Sequence, residues 1–319
     1  VNEEEVFHFA LPPGVTFESD SEEVVLKNAS EIPQGMIRIE RPDSVSMYGK
    51  NEGSYRVGMK FLGLIRMKDI QVEVVDGSYA IPCGMPVGIY LKSKGVMVIG
   101  TGQVTNDTGN VVEPAYGLLK SGDYIQTVDG EDLEDKNDLV DAVSASDGKT
   151  LALGIRRDGR RIEVDMTPVL AEDGSYKLGA WVRDDTQGIG TMTFLDEELH
   201  FGALGHGIND TDTGELLQLG SGLLYHTEIV AIRKGERGTP GELTGIIEYQ
   251  PEQVSGVIMS NTEEGIYGVA SQAFADSITT QALPVGLKQD VKEGDAQILC
   301  NIDGQTKYYD VRITRLMPN

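Results

Sequence analysis

Alternation of apolar and polar positions at period two marks the first quarter of the chain. It runs through residues 6–11 (VFHFAL), 36–39 (MIRI), 55–59 (YRVGM) and 70–74 (IQVEV). A strand with one face buried requires this period, so residues 1–80 read as a small β domain. His8 stands between Phe7 and Phe9 in the first of these runs. With no second ligand type at metal spacing, it reads as a strand residue.

The pattern changes over residues 81–170. Residues 81–86 (IPCGMP) read as a loop, followed by the run VGIYL at 87–91. Residues 95–100 (GVMVIG) read as a strand and residues 113–119 as a short helix stopped by glycine. A strand follows over 124–128, and Asp129-Gly130 is a tight turn of the kind that favours positive φ. Leu139, Val140 and Val143 form an apolar stripe that predicts a helix over 138–144. Residues 151–156 and 161–166 read as a hairpin across Asp158-Gly159. From residue 178 to 319, short apolar runs separated by glycines predict a barrel or sandwich.

Composition narrows the function classes. Among 319 residues, 27 Lys plus Arg face 51 Asp plus Glu, a formal net charge of −24. Such a long-range field disfavours polyanionic partners, nucleic acid and anionic lipid alike. No apolar run approaches the ~18 residues of a spanning helix. The two cysteines, Cys83 and Cys300, are expected in different domains as small buried thiols rather than as a disulfide. No phosphate loop, dinucleotide fingerprint or metal-ligand spacing occurs, so no cofactor and no ion is expected. The chain begins with Val1, which places any signal or anchor upstream of it.

Two stretches resemble known families. The run AYGLLKSGDYIQTVDG at residues 115–130, with the elements around it, resembles a PDZ domain. That family binds peptides by adding a strand to its edge, with loop amides holding a terminal carboxylate. The corresponding amides here are those of Val87, Gly88 and Ile89; Pro86 has no N–H to add. The stretch GIGTMTF at 188–194 and FGALGH at 201–206 resemble the peptidase domain of the stage IV sporulation protein B family, serine peptidases of the chymotrypsin-like clan in endospore formers. KGERGTPGE at 234–242, GIYG at 265–268 and QALPV at 281–285 follow in the same order.

These resemblances imply a mainly β protein in three parts. Residues 1–80 form the small β domain, residues 81–170 a PDZ domain, and residues 178–319 a serine-peptidase-like β-barrel domain lacking its C-terminal strands. His206, between Gly205 and Gly207, reads on pattern alone as an exposed or structural histidine beside a turn. The resemblance gives it the general base, since a neutral imidazole takes a proton from a hydroxyl and later returns it. Asp210 and Asp212 read as solvated turn residues, with an orienting contact to His206 as the alternative; Asp184-Asp185 and Glu197-Glu198 read as solvated turns. The family nucleophile is the first serine of G-x-S-G-S-P, which does not occur in this chain, and Ser221 reads as a turn residue. The chain as it stands is therefore expected to be inactive alone, with the second barrel of a two-barrel fold incomplete or paired with another chain.

The functional expectations follow. One is a sporulation endopeptidase that cleaves a regulator of an intramembrane protease, and itself, in the intermembrane space around the forespore, so activating a mother-cell sigma factor. The other is a non-catalytic PDZ peptide-binding or scaffold protein; a structural envelope protein is a weaker third. The partners are a peptide or protein substrate, not nucleic acid.

Overall fold

A computed structural model describes residues 5–8, 14–19, 21, 24–27, 37–38, 44–75, 77–287, 290–302 and 304–317. The protein is mainly β, with two short α-helices among the described residues. It divides into two compact units, Val1–Tyr79 and Ala80–Asn319. No helix among the described residues is long and apolar enough to cross a membrane.

The first unit holds two small sheets. One orders β1 (Glu5–His8), β5 (Ser44–Gly49) and β3 (Val24–Lys27) as β1-β5-β3; the other orders β4 (Ile37–Arg38), β2 (Val15–Ser19), β6 (Gly53–Phe61) and β7 (Ile65–Val74) as β4-β2-β6-β7. Val15, Phe17, Val24, Met47, Val57 and Met59 form its core. His8 closes β1. The alternations at 55–59 and 70–74 fall in β6 and β7, whereas residue 36 and residues 39–43 lie outside the described residues.

The second unit is organised by one long strand, β8 (Tyr79–Thr101). Its first half, from Ile81 to Ser93, belongs to a closed barrel. The other barrel strands are β17 (Ala180–Leu195), β18 (His200–Ala203), β19 (Leu219–Tyr225), β22 (Val254–Thr262) and β23 (Gly265–Ala270). They run β8-β17-β18-β23-β22-β19, and β19 pairs back onto β8 from Ser93 to Gly88. Closure removes the unpaired edges an open sheet would leave. Val87, Ile89, Leu91, Met192, Leu195, Phe201, Leu224, Ile258 and Ile266 fill the interior.

Gly95 bends β8 out of the barrel. It has φ +89°, and a Cβ there would strike the Ile125 carbonyl oxygen at 2.6 Å, so only glycine fits. Beyond it, β8 pairs with β11 (Tyr124–Val128) on one side and with the start of β17 on the other. β11 continues to β13 (Leu151–Arg157) and β14 (Arg160–Met166). Helix α1 (Lys136–Ala145) covers this lobe with Leu139 and Val143. Asp135 caps it, accepting from the Asn137 and Asp138 amides, and Asp138 returns the bond. Val96, Val98, Ile125, Leu153, Ile155 and Met166 complete the second core. The turns at Asp129-Gly130 and Asp158-Gly159 both have positive φ, as two-residue hairpins require.

Several expectations are corrected. Residues 85–89 are not a loop but the middle of β8, with Val87 and Ile89 buried in the barrel. Residues 114–118 form turns with one helical bond, Leu119 N–H to Ala115, instead of a helix. The barrel strands begin at Ile81 rather than after residue 178, and six of them close into one barrel. Cys83 and Cys300 are free thiols within the same unit, not in separate domains. Cys300 lies on β25 (Gly294–Asn301), which pairs with β26 (Thr306–Ile313). That strand passes so near Gly84 that a Cβ there would strike the Leu299–Cys300 backbone.

Candidate functional site

Two features of the second unit carry chemistry: the turn after β18 and a groove beside α1. The turn begins with two consecutive residues in left-handed conformation, Leu204 (φ 74°) and Gly205 (φ 78°). A non-glycine residue there costs on the order of 1–2 kcal/mol. Leu204 is held in place by packing on the barrel core, in space left by Gly190. The reversal throws His206 outward. Its ring is exposed, and Nδ1 lies 2.9 Å from the Gly207 carbonyl oxygen. A carbonyl oxygen only accepts, so a neutral ring in this pose donates Nδ1–H and keeps its free lone pair on Nε2. Nε2 is the atom that takes a hydroxyl proton when imidazole acts as a general base.

The turn is clamped from two sides. The Gly207 N–H donates to the Glu263 carbonyl at 3.1 Å, and a Cβ on Gly207 would collide with the Thr262 carbonyl oxygen. Asn261, on β22, accepts from Ile208 N–H at 2.9 Å through Oδ1. Its Nδ2 donates to the Ile208 carbonyl at 2.9 Å and the Leu217 carbonyl at 3.0 Å. One amide side chain therefore pins both ends of the segment that follows the histidine.

Arg183, on β17, holds the middle. Its Nη1 donates to Asp210 Oδ2 at 2.9 Å and Thr211 Oγ1 at 3.2 Å, and Nη2 lies 2.8 Å from Asp212 Oδ2. Asp210 is buried, with its side chain 1% exposed, and its Oδ1 accepts from the Asp212 and Thr213 amides. Asp210 is thus a buried ion-pair partner of Arg183 rather than a solvated turn residue, whereas Asp212 pairs with the same guanidinium and stays exposed; among the described residues neither bonds to His206. Asp184 is likewise buried rather than a solvated turn, and it meets Lys136 at 2.8 Å. Ser221 is an exposed strand residue on β19.

The groove lies between α1 and residues 180–182 of β17. Leu139, Val140 and Val143 line one wall, Leu178, Gly179, Trp181 and Val182 the other, around a cavity of about 420 Å³. Residues 180–182 pair with β8 on one side only, at Thr101, Gly100 and Val98. Among the described residues no strand covers the other edge. Gly179 turns the chain into this edge with φ +69°, and its carbonyl accepts from Gly102 N–H at 2.8 Å. Trp181, 62% exposed, lies over Gly100 and Gly102, where a Cβ would collide with its ring.

The amides of Val87, Gly88 and Ile89, expected to hold a carboxylate, instead lie between β17 and β19 in the barrel wall. The glycine turn that borders the groove lies after the β13–β14 hairpin, at Leu178-Gly179.

Comparison with known proteins adds to this geometry. Residues 174–319 match the family described as SpoIVB peptidase S55. That match relates this part of the chain to SpoIVB-type peptidases. The chain is 34% identical over 76 residues to the Regulator of sigma-W protease RasP of Bacillus subtilis (strain 168), covering 24% of this chain and 17% of that protein. It is 40% identical over 83 residues to the protein named "Putative zinc metalloprotease LL2128" of Lactococcus lactis subsp. lactis (strain IL1403), covering 25% and 19%. The chain therefore spans less than a fifth of the length of either relative.

Proposed function

We propose that this chain is the base-bearing and peptide-gripping part of a serine endopeptidase of sporulation. The observation that carries the reading is the pose of His206. It is exposed after the third barrel strand, tautomerically fixed by Gly207, and inside the stretch that matches the peptidase family. In this reading Nε2 accepts the proton of a serine hydroxyl as it attacks a peptide carbonyl, and later returns it to the leaving amine. The groove is that of a PDZ domain. It takes an extended peptide as an added strand on residues 180–182, with an apolar side chain between Leu139, Val143 and Val182. The substrate is a protein regulator of an intramembrane protease, cut outside the cytoplasm around the forespore, and the enzyme also cuts itself.

Both curated relatives are named as proteases, one of them as a zinc enzyme. His8, His200, His206 and His226 are followed by Phe, Phe, Gly and Thr, so the His-Glu-x-x-His pair of helical zinc peptidases does not occur here. We therefore carry over proteolysis and not zinc chemistry. In the full-length protein, His206→Ala is expected to lower kcat for a peptide substrate by about 10³-fold or more. An unchanged kcat would remove His206 from the mechanism.

A second reading, a non-catalytic peptide-binding module, is favoured by one observation: the groove is assembled entirely from residues of this chain. Calorimetry with an eight-residue peptide ending in a free valine carboxylate tests it. Binding that Val143→Glu abolishes supports the groove, and no heat with a panel of terminal and internal peptides would exclude it.

A further inference from the structure

The turn joining β6 and β7 is apolar and, among the described residues, exposed. Leu62, Leu64, Ile65 and Met67 are 65%, 88%, 62% and 47% exposed. Leu62 (φ 53°) and Gly63 (φ 69°) form the tight turn, behind which Phe61 pairs with Ile65 and Lys60 with Arg66. In water this exposure has no compensation. The tip's amides are satisfied from within: Leu62 N–H donates to the Gly14 carbonyl at 2.7 Å and Leu64 N–H to the Phe61 carbonyl at 3.2 Å. Burying the tip in an apolar medium therefore strands neither donor.

Charge around the tip departs from that of the chain. Residues 56–68 (RVGMKFLGLIRMK) hold four cations and no carboxylate, within a protein of net charge −24. Lys60 meets Glu18 and Arg66 meets Asp69, while Arg56 and Lys68 are exposed on the same hairpin. At about 3.3 Å per residue, Lys60 and Arg66 sit one cross-strand pair behind the apolar tip and Lys68 roughly 10 Å behind it. A side chain inserted 5–10 Å into a bilayer interface would leave these cations at headgroup depth. The apolar side chains sit at the end of a two-stranded hairpin, with Leu62, Leu64 and Ile65 all exposed there.

We propose that the β6–β7 hairpin is a membrane-docking element that inserts Leu62, Leu64 and Ile65 into the surface of an anionic phospholipid bilayer. The chain's overall acidity does not oppose this at physiological salt. Screening over about 8 Å confines the membrane's attraction to the hairpin's own charges.

Flotation of the full chain with phosphatidylcholine vesicles containing 30% phosphatidylglycerol, at 0.15 M salt, tests the proposal. Half of the protein is expected to float at lipid concentrations on the order of 1 mM, the range of a single short anchor. Leu64→Ser with Ile65→Ser is expected to weaken flotation at least tenfold without changing thermal unfolding, since both side chains are exposed. Lys68→Glu with Arg56→Glu is expected to remove only the preference over pure phosphatidylcholine. Failure of the wild-type chain to float, or equal flotation of the serine variant, overturns the proposal. So does a wild-type dimer in lipid-free sedimentation that the serine variant abolishes, since that assigns the tip to a protein contact.

Discussion

Replacing Arg183 with methionine removes the clamp on the segment that follows His206 while keeping the aliphatic stem. Three polar contacts disappear, to Asp210, Thr211 and Asp212. The Asp212 contact is 44% exposed on the acid side and contributes a few tenths of a kcal/mol at most. Asp210 dominates. Its side chain is 1% exposed, so losing the guanidinium leaves Oδ2 buried without its charged partner. Breaking a fully buried pair costs about 3–5 kcal/mol. Here Oδ1 keeps two amide donors and Arg183 is itself 33% exposed, which lowers the expected loss to about 2 kcal/mol. For a domain of this size that corresponds to a fall of about 4–8 °C in Tm. Trp181, the only tryptophan, stands two residues from Arg183 and reports the transition by fluorescence. Hydrogen exchange at the Asp212 and Thr213 amides should accelerate more than at Ile125 in the neighbouring core. Adding Asp210→Asn to the methionine variant should recover at least about 1 kcal/mol relative to additivity, because it removes the orphaned charge. A loss below about 0.5 kcal/mol, or strict additivity of the two changes, would refute the clamp.

Three further outcomes follow from the same geometry. Asn261→Ala removes three hydrogen bonds to Ile208 and Leu217 and is expected to cost about 2–3 kcal/mol. Asn261→Asp, which keeps only the acceptor, should fall between it and wild type, and limited proteolysis between residues 206 and 217 gives the same ranking. Burial in the barrel pushes the Cys83 thiol up to about 12, so native iodoacetamide should modify Cys300 at least a hundredfold faster; equal rates would contradict the buried position. For Asp184, burial raises the carboxyl, but the Lys136 ammonium and backbone N–H outweigh it and hold the group below its ordinary value. Because the folded value lies below the unfolded one, its stabilisation is complete above the ordinary carboxylate range near 4 and is lost as pH falls beneath it. Asp184→Asn should flatten the dependence of the urea midpoint on pH in that acid window, and an unchanged slope would count against the pairing.

Local signals in the sequence were legible where neighbours along the chain decide the structure. The alternations at 55–59 and 70–74, the stripe of Leu139, Val140 and Val143, and the turns at Asp129-Gly130 and Asp158-Gly159 all correspond to observed elements. Residues 81–86 form strand rather than loop although Pro82, Gly84 and Pro86 are loop punctuation in most settings. In the folded chain the glycines of this strand admit close neighbours: a Cβ on Gly84 would meet the Leu299 carbonyl oxygen at 2.4 Å and one on Gly88 the Ile247 side chain at 2.5 Å. Closure of the barrel by β19 on β8 joins residues more than a hundred positions apart, and no local pattern records it. The same applies to the site. His206 stood out by its flanking glycines, but Asn261 and Arg183 reach its turn from distant strands and carry no motif.

In the proposed function the Nε2 lone pair of His206 activates a serine. Labelling of the full-length protein by a fluorophosphonate, which reacts only with an activated serine hydroxyl, addresses it most directly. Wild type should label at one serine, and His206→Ala should slow that labelling by at least about 10³-fold while the affinity of the groove for a valine-terminated peptide stays within twofold. Labelling at the wild-type rate in the alanine variant would contradict the account.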